Sequence, residues 1–292
     1  MPETNIRLVL VVSVLALPAM PALAVEAALG RTLPGIWIQP QGGVVGPNAG
    51  FSFSLLPIGY MGRIGGGRLV PVGGTIYTDV QANINTNYIV PEYDYKTETH
   101  KVSLASSFMG VVNWVGSEGS LNINDLSRAQ SRSNAGVGDV VAAPLAVGIH
   151  STENDNFAVS SWVFSPSGQF RPGNLSNLGM GEWTVMPNVA HTYLWKKRGL
   201  EFDNFIGFDI YRENATTKYT SGTMFHWDGM IIQYLSEWIG FGVIGSDLTQ
   251  ISRDKGPIAD VHGFEGQASA VGTMALYVAK VEKPASWFNC AG

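Results

Sequence analysis

The sequence predicts an all-β fold, an antiparallel transmembrane β-barrel of about 10–12 strands preceded by a signal peptide. Three observations lead to this prediction. The chain begins with a short apolar run, charged residues make up only 14% of it while glycine reaches 35 residues, and apolar and polar residues alternate in its second half. Soluble domains contain about 25% charged residues. This composition therefore suits a wall that faces lipid on one side and water on the other.

Residues 1–24 have the layout of an export signal. Arg7 is followed by an apolar run over residues 8–17, and Ala-Leu-Ala at residues 22–24 supplies the small residues of a cleavage site. An uncleaved membrane anchor is the alternative, but the run is shorter than the roughly 20 residues that a spanning helix needs. We therefore predict a cleaved signal peptide over residues 1–24 and an N-terminal periplasmic segment over residues 25–49.

The barrel itself is predicted over residues 50–283. No later apolar stretch reaches the length of a spanning helix, and in lipid the other way to satisfy the backbone is a closed barrel. Residues 183–195 and 200–211 show the alternation most clearly. Phe202, Ile206 and Phe208 share one face there, whereas the acidic residues of the same strand occupy the other.

The same pattern predicts ten strands in all. They lie near residues 50–60, 73–88, 100–115, 138–149, 157–164, 183–195, 199–211, 219–234, 238–248 and 264–280. Long connections at 116–137, 165–182 and 249–263 alternate with short ones at 150–156, 196–199 and 235–237. Outer-membrane barrels have short periplasmic turns and long external loops, so this order orients the molecule. The connection at 89–99 is long for a periplasmic turn.

Several stretches of the sequence, taken together, resemble a known family. The stretches are Gly136-Val137-Gly138-Asp139, Pro144, Ser165-Pro166-Ser167-Gly168, Asn174 to Trp183, Pro187, Tyr193 and residues 214–222. In this order they resemble the outer-membrane proteins involved in the meta-pathway of phenol degradation. The resemblance covers roughly residues 50–283 and is strongest over 136–248. It implies a barrel of about a dozen strands and a role in the uptake of aromatic or other hydrophobic compounds, with no catalytic residues to carry over.

The C-terminus departs from that family. Its members continue beyond the equivalent of residues 281–283 with two more strands and end on an aromatic residue, whereas here residues 284–292 form an atypical tail. The ten predicted strands would become twelve with that hairpin. A truncated, non-functional barrel is therefore an alternative, because an unclosed barrel would expose strand edges to lipid.

The inward face of the best-defined strands gives the predicted channel lining. It comprises Glu201, Asp203, Phe205, Asp209, Met224, His226, Asp228 and Met230. Inward carboxylates disfavour anions, and flexible thioethers suit adaptable contact with apolar molecules. We therefore expect an outer-membrane channel for passive uptake of small hydrophobic or aromatic compounds, with a general narrow porin as the alternative. Its expected partners are outer-membrane lipid, these solutes and the outer-membrane assembly machinery.

Other functional classes find less support. His226 and Asp228 share a face with acidic residues, so a metal site or an acid–base pair is conceivable, but a polar lumen wall explains the same pattern. Ser221 should face away from His226, so the two do not fit a catalytic triad. Gly136-x-Gly138 precedes a strand rather than a helix, which argues against a phosphate loop.

We predict no enzyme, metal or cofactor. The net charge of −5 argues against nucleic acid as a partner, and the low charge content argues against a soluble sandwich.

Overall fold

The computed structural model describes residues 6–16, 31–64, 70–72, 75–77, 79–99, 101–123, 126–256, 259 and 266–281. Within these residues the regular structure is almost entirely β. The strands are β1 (Ile6–Ala16), β2 (Gly50–Ile64), β3 (Val70–Val72), β4 (Thr75–Tyr77), β5 (Asp79–Tyr95), β6 (Val102–Ile123), β7 (Leu126–Val137), β8 (Val141–His150), β9 (Asp155–Phe164), β10 (Thr184–Trp195), β11 (Leu200–Tyr211), β12 (Met224–Tyr234), β13 (Ile239–Gln250) and β14 (Gln267–Val281). In this part of the chain, no helix is both long and apolar enough to cross a membrane.

The strands form one antiparallel sheet that curls on itself. Its order is β1-β14-β13-β12-β11-β10-β9-β8-β6-β5-β2, with β7 added to the outer part of β6, and β3 and β4 make a separate hairpin. Neighbours in the sheet are mostly neighbours in sequence, so short hairpin connections build the wall. The predicted all-β antiparallel fold class is confirmed.

Side chains alternate between the two faces as the period of two predicts. From β10 to β12 the apolar residues that alternate with the inward ones are exposed or half-buried. They are Val185, Val189, Phe202, Ile206, Phe208, Phe225 and Ile231. The residues between them are buried on the concave face. Apolar side chains therefore cover the convex face, as expected of a sheet surrounded by lipid.

Two predicted connections and one predicted strand differ from the structure. β5 continues to Tyr95, so the periplasmic turn after it is shorter than predicted. Residues 116–123 and 126–137, predicted as part of a loop, belong instead to β6 and β7, which pair with each other. Residues 219–223 hold an isolated bridge between Thr220 and Lys255 instead of a full strand. The hairpin was not predicted because polar residues occupy both of its faces in the sequence.

The structure describes part of the predicted signal peptide but none of the predicted C-terminal tail. Residues 6–16, inside the predicted signal peptide, form β1 and pair along β14 from Ile6 with Val281 to Ala16 with Val271. The signal peptide over residues 1–24 stays a prediction. The atypical tail at 284–292 lies outside the described residues.

Residues 31–46, here called the interior segment, have no regular secondary structure and lie against the concave face of the sheet. Arg31 is at the end of the sheet that carries the long loops, the long-loop end, where it contacts Asp139. Gln41 is near the opposite, short-turn end, where it contacts Glu201. Of the predicted N-terminal periplasmic segment, residues 25–49, the described residues 31–46 therefore lie against the concave face of the sheet, and residues 25–30 lie outside the described residues. The segment lacks alternation because its backbone N–H groups bond to side chains of the wall rather than to a neighbouring strand.

Candidate functional site

Arg31 anchors the interior segment at the long-loop end. Its guanidinium forms a buried ion pair with Asp139, donates to Thr184 Oγ1 at 3.1 Å and to the Glu182 carbonyl oxygen at 2.6 Å. It also lies over the ring of Phe164, 5.2 Å from the centroid. The planar group of arginine suits such a set of simultaneous contacts. Both charges of the pair are removed from solvent.

Asp139 also fixes the loop at 165–182 over the interior. It accepts the backbone N–H of Gly168 at 2.7 Å and that of Met180 at 2.9 Å. A Cβ atom on Gly179 would lie 2.4 Å from Asp139 Oδ1, and one on Gly168 would lie 2.9 Å from the Asp139 nitrogen. Glycine is therefore required where the loop approaches this carboxylate. The Gly-x-Gly-Asp stretch thus holds a loop, which agrees with the sequence argument against phosphate binding.

In the middle of the segment, carboxylates of β11 and β12 accept hydrogen bonds from the chain that crosses them. Thr32 donates to Asp209 at 2.7 Å. Asp228 accepts the backbone N–H of Gly35 at 3.0 Å and that of Trp37 at 3.2 Å. Ser246 on β13 also donates to Asp228. Asp228 therefore satisfies backbone donors that have no partner strand, whereas Asp209 accepts a side-chain hydroxyl.

An aromatic stack fills the space beside these acids. The Trp37 ring is stacked on Phe205, with centroids 5.8 Å apart, and Phe205 is stacked in turn on His226 at 5.6 Å. Trp162 and Phe164 pack against other sides of Trp37. Met186, buried in the same cluster, completes the apolar packing. The interior is thus divided into an apolar strip and an acidic strip.

Two further acids lie near the short-turn end. Glu201 accepts the backbone N–H of Gln41 at 2.6 Å and the Tyr234 hydroxyl at 2.7 Å. Thr192 Oγ1 donates to Asp203 and accepts the N–H of Gly43 at 2.9 Å. A Cβ atom on Gly43 would lie 2.6 Å from the Thr192 nitrogen. Only glycine allows the segment to approach the wall this closely.

His226 and Asp209 face each other without a direct bond. His226 Nε2 lies 3.8 Å from Asp209 Oδ1, and both side chains are fully buried. Neither ring nitrogen of His226 has a hydrogen-bond partner in the described structure. A Cβ atom on Gly207 would lie 2.4 Å from His226 Cε1, so this glycine makes room for the ring. Sequence reasoning did not identify Gly207.

The catalytic and metal alternatives find no supporting geometry. His226 makes no hydrogen bond to Asp228 or to Ser221, so the relay of a serine–histidine–aspartate triad is not formed among the described residues. The described residues contain no group of three or more His, Cys, Asp or Glu that could hold a metal ion. Asp228 instead accepts hydrogen bonds from the interior segment.

The structure places all eight predicted lining residues on the concave face. Glu201, Asp203, Phe205, Asp209, Met224, His226, Asp228 and Met230 are each at most 6% exposed. Their assignment as channel lining stays a prediction. Sequence reasoning took the acids for a solvated wall and missed their partner, the interior segment. The available signal was a glycine- and proline-rich stretch without alternation upstream of a wall with many inward carboxylates.

Two comparisons with known proteins agree with this architecture. The family model described as "Putative MetA-pathway of phenol degradation" matches residues 62–281. The crystal structure of an outer membrane channel from Pseudomonas putida F1 is similar in fold, with a TM-score of 0.59 and 12% sequence identity, covering 85% of this chain and 100% of that one. No curated protein matches the chain.

Proposed function

We propose that this chain, which belongs to the family described as a putative MetA-pathway of phenol degradation, is an outer-membrane channel for passive uptake of small hydrophobic or aromatic compounds. One observation carries the proposal. The sheet has an apolar convex face, and its concave face surrounds an irregular segment with an aromatic strip beside an acidic one. Such a wall needs lipid outside. The chain reaches the outer membrane through its export signal, and the assembly machinery of that membrane inserts it.

The packed interior favours small solutes over bulk diffusion. Trp37 and the rings around it occupy space that a wide porin leaves to water. Apolar side chains in that strip can contact an apolar solute, and the thioether of Met186 can adapt to its shape. The inward carboxylates disfavour anions. A neutral, compact and partly apolar molecule therefore fits this path best.

A general narrow porin is the second candidate. Polar groups favour it, since Asp209, Asp228 and Glu201 would face water if the interior segment moved away from the wall. Such a channel would pass small sugars as readily as aromatic compounds. The two functions therefore differ in the solutes that they admit.

Reconstitution tests the proposal. Planar bilayers give single-channel conductance, and vesicles with lipopolysaccharide in the outer leaflet give the flux of phenol and of arabinose. We expect discrete conductance steps and a phenol flux above that of protein-free vesicles, with little arabinose flux. Trp37→Ala should raise both conductance and flux, because it removes the largest ring of the interior stack.

Trp227→Ala is the matched control, since it removes a tryptophan from the convex face. It should leave conductance unchanged. Equal phenol and arabinose fluxes would support the general porin instead. A folded protein without conductance or phenol flux would contradict both candidates.

A further inference from the structure

The loops at 212–223 and 251–256, here called the loop pair, are bonded to each other at the long-loop end of the sheet. Thr220 and Lys255 exchange backbone hydrogen bonds of 2.8 and 2.9 Å. Asp254, which is buried, accepts a backbone N–H of the other loop at 2.6 Å. The surface of the loop pair is therefore preformed.

Cationic side chains dominate the exposed surface of the loop pair. They are Arg212, Lys218, Arg253 and Lys255. The exposed acid of the loop pair is Glu213, which lies 3.4 Å from the Lys218 ammonium group. Even with both of its acids ionised, the loop pair has a net positive charge.

This positive charge is local to the long-loop end. The whole chain has a net charge of −5, but many of its acids are buried. They include Asp139, Glu182, Glu201, Asp203, Asp209 and Asp228. At the long-loop end, Arg132 and Arg171 are exposed as well. An anion that approaches this end from solvent or from the membrane surface therefore meets a positive potential.

The cations come from two loops but lie close together. The Asn214 N–H donates to the Tyr219 carbonyl oxygen at 2.8 Å, and Thr220 pairs with Lys255, so three segments lie side by side. Neighbouring β segments are about 5 Å apart. A Cβ atom on Gly256 would lie 2.6 Å from the carbonyl oxygen of Lys218. One headgroup can therefore contact cations of both loops.

The loop pair begins where the apolar convex face ends. The Arg212 N–H donates to the Trp183 carbonyl oxygen at 2.9 Å, and Trp183 is 51% exposed. Ile210 and Ile251 are exposed next to the loop pair. Tryptophan is typical of the boundary between hydrocarbon and headgroups. The cations therefore lie at the depth of the lipid headgroups.

A phosphate group that is attached to acyl chains fits this combination. Guanidinium groups bind phosphate through two parallel hydrogen bonds, and ammonium groups bind it as point charges. Acyl chains would lie along Trp183 and Ile210, with which a soluble phosphate has no contact. Long loops of outer-membrane barrels face outward, so the lipid belongs to the outer leaflet. The phosphorylated lipid of that leaflet is lipid A, the membrane part of lipopolysaccharide.

We propose that the loop pair binds the phosphate groups of one lipid A molecule through Arg212, Lys218, Arg253 and Lys255. Divalent cations bridge the phosphates of neighbouring lipid A molecules, and the side chains of the loop pair replace them at this contact. The proposal rests on the outer-membrane location in the proposed function, but it does not depend on the solute that passes.

Native mass spectrometry of the full chain in detergent micelles tests this site. Lipid A with both phosphates is titrated in the presence of EDTA against the wild type and the double variant Arg212→Gln with Lys255→Gln. The wild type should retain lipid A without divalent cations, and its loss in EDTA would contradict the proposal. The double variant should bind about thirtyfold more weakly, since each cation near an anionic lipid surface contributes about 1 kcal/mol.

The double variant Lys196→Gln with Lys197→Gln is the matched control, because it removes the same charge from exposed lysines at the short-turn end. It should bind lipid A as the wild type does. Folding of both double variants is checked by heat-modifiable migration on a gel. Equal affinities of the two double variants would overturn the proposal, because the position of the cations would then not matter.

Two further ligands identify the part of the lipid that is bound. Lipid A without phosphates should bind at least about thirtyfold more weakly than lipid A with both. Inorganic phosphate should not displace lipid A, because it has no acyl chains. Equal binding with and without phosphates would show an apolar contact only, and displacement by inorganic phosphate would show a site for a soluble anion. Either result would rule out the lipid A site.

Lipid A binding and channel activity are measured separately. Lipid A binding that depends on Arg212 and Lys255, without conductance, would overturn the channel and leave the lipid site. Conductance without this binding would overturn the lipid site and leave the channel.

Discussion

The two ends of the interior segment are held by different chemistry. At the long-loop end a single guanidinium, that of Arg31, binds Asp139 in a pair that is 5% and 4% exposed. Further along, Asp228 and Glu201 are also buried, but the segment offers them only neutral backbone N–H groups. Buried acids of the wall therefore bind a cation at the long-loop end of the segment, and they bind backbone N–H groups along the remainder of the segment.

This difference in hydrogen-bond partners indicates which part of the interior segment moves most easily. Removing one member of a buried ion pair leaves an uncompensated charge, which is costly. In the middle of the segment the carboxylates accept bonds from separate backbone N–H groups, and these bonds can be lost one at a time. We therefore expect the segment to be fixed at Arg31 and to shift most easily between Trp37 and Gly43.

The largest effect should follow from removing the cation. Arg31→Met leaves Asp139 buried without its charge partner and should lower the free energy of unfolding by about 3–5 kcal/mol. Reversible urea unfolding from lipid vesicles measures it. The double variant Arg31→Met with Asp139→Asn should recover part of the loss, because the uncompensated charge is gone. Equal losses in the single and double variants would mean that the pair is not what anchors this end.

A smaller effect is expected where the donors are neutral. Asp228→Asn keeps one acceptor but places an amide N–H against a backbone N–H of Gly35 or Trp37, which should cost about 1–3 kcal/mol. Faster hydrogen exchange at residues 35–43, compared with Arg31, would show that the middle of the segment has loosened. Asp247→Asn is the control, because Asp247 bonds to Thr249 and Ser269 rather than to the segment. Equal exchange in the two variants would contradict the comparison.

The smallest effect concerns Asp254, a buried acid at the long-loop end that accepts bonds from neutral donors. Burial raises the pKa of Asp254 above its ordinary value of 3.8, although bonds from Tyr219, Gly222 and Gln250 act against the rise. The folded chain thus keeps this proton to higher pH than the unfolded chain does. The stabilisation is present at low pH and is lost as pH rises from about 3.8 through the raised pKa.

Asp254→Asn removes that titration. The melting temperature of the wild type relative to Asp254→Asn should fall as pH increases through this window. Glu213→Gln, at an exposed acid that pairs with Lys218, should not produce this trend. A constant difference between the wild type and Asp254→Asn would show that Asp254 has an ordinary pKa.

The inward and outward faces of the strands could be predicted from the sequence, because alternation of apolar and polar residues is a local pattern. Alternation along residues 184–211 fixes which side chains face inward, and the structure agrees for Glu201, Phe205 and Asp209. The β6–β7 hairpin was missed because polar residues occupy both of its faces. A period of two indicates a strand only where one face is apolar.

The filling of the interior could not be predicted in the same way. Gly35 and Gln41 give no local pattern, because their hydrogen bonds depend on acids far along the chain. The inward acids were identified correctly, but a carboxylate that faces water and one that accepts a backbone N–H have the same appearance in a sequence. Only the three-dimensional arrangement separates the two.

The path of the interior segment also imposes an order in time. Its bond from Arg31 to Asp139 spans 108 positions of the chain, and that from Gly35 to Ser246 spans 211, whereas β10 and β11 are joined by a tight turn. Contacts so distant in sequence form slowly, because a long loop must close first. The segment is continuous with β2 at one end, so it cannot be threaded into a finished wall. We therefore expect the hairpins from β8 to β14 to assemble first, and the wall to form around the segment in a later and slower stage of folding.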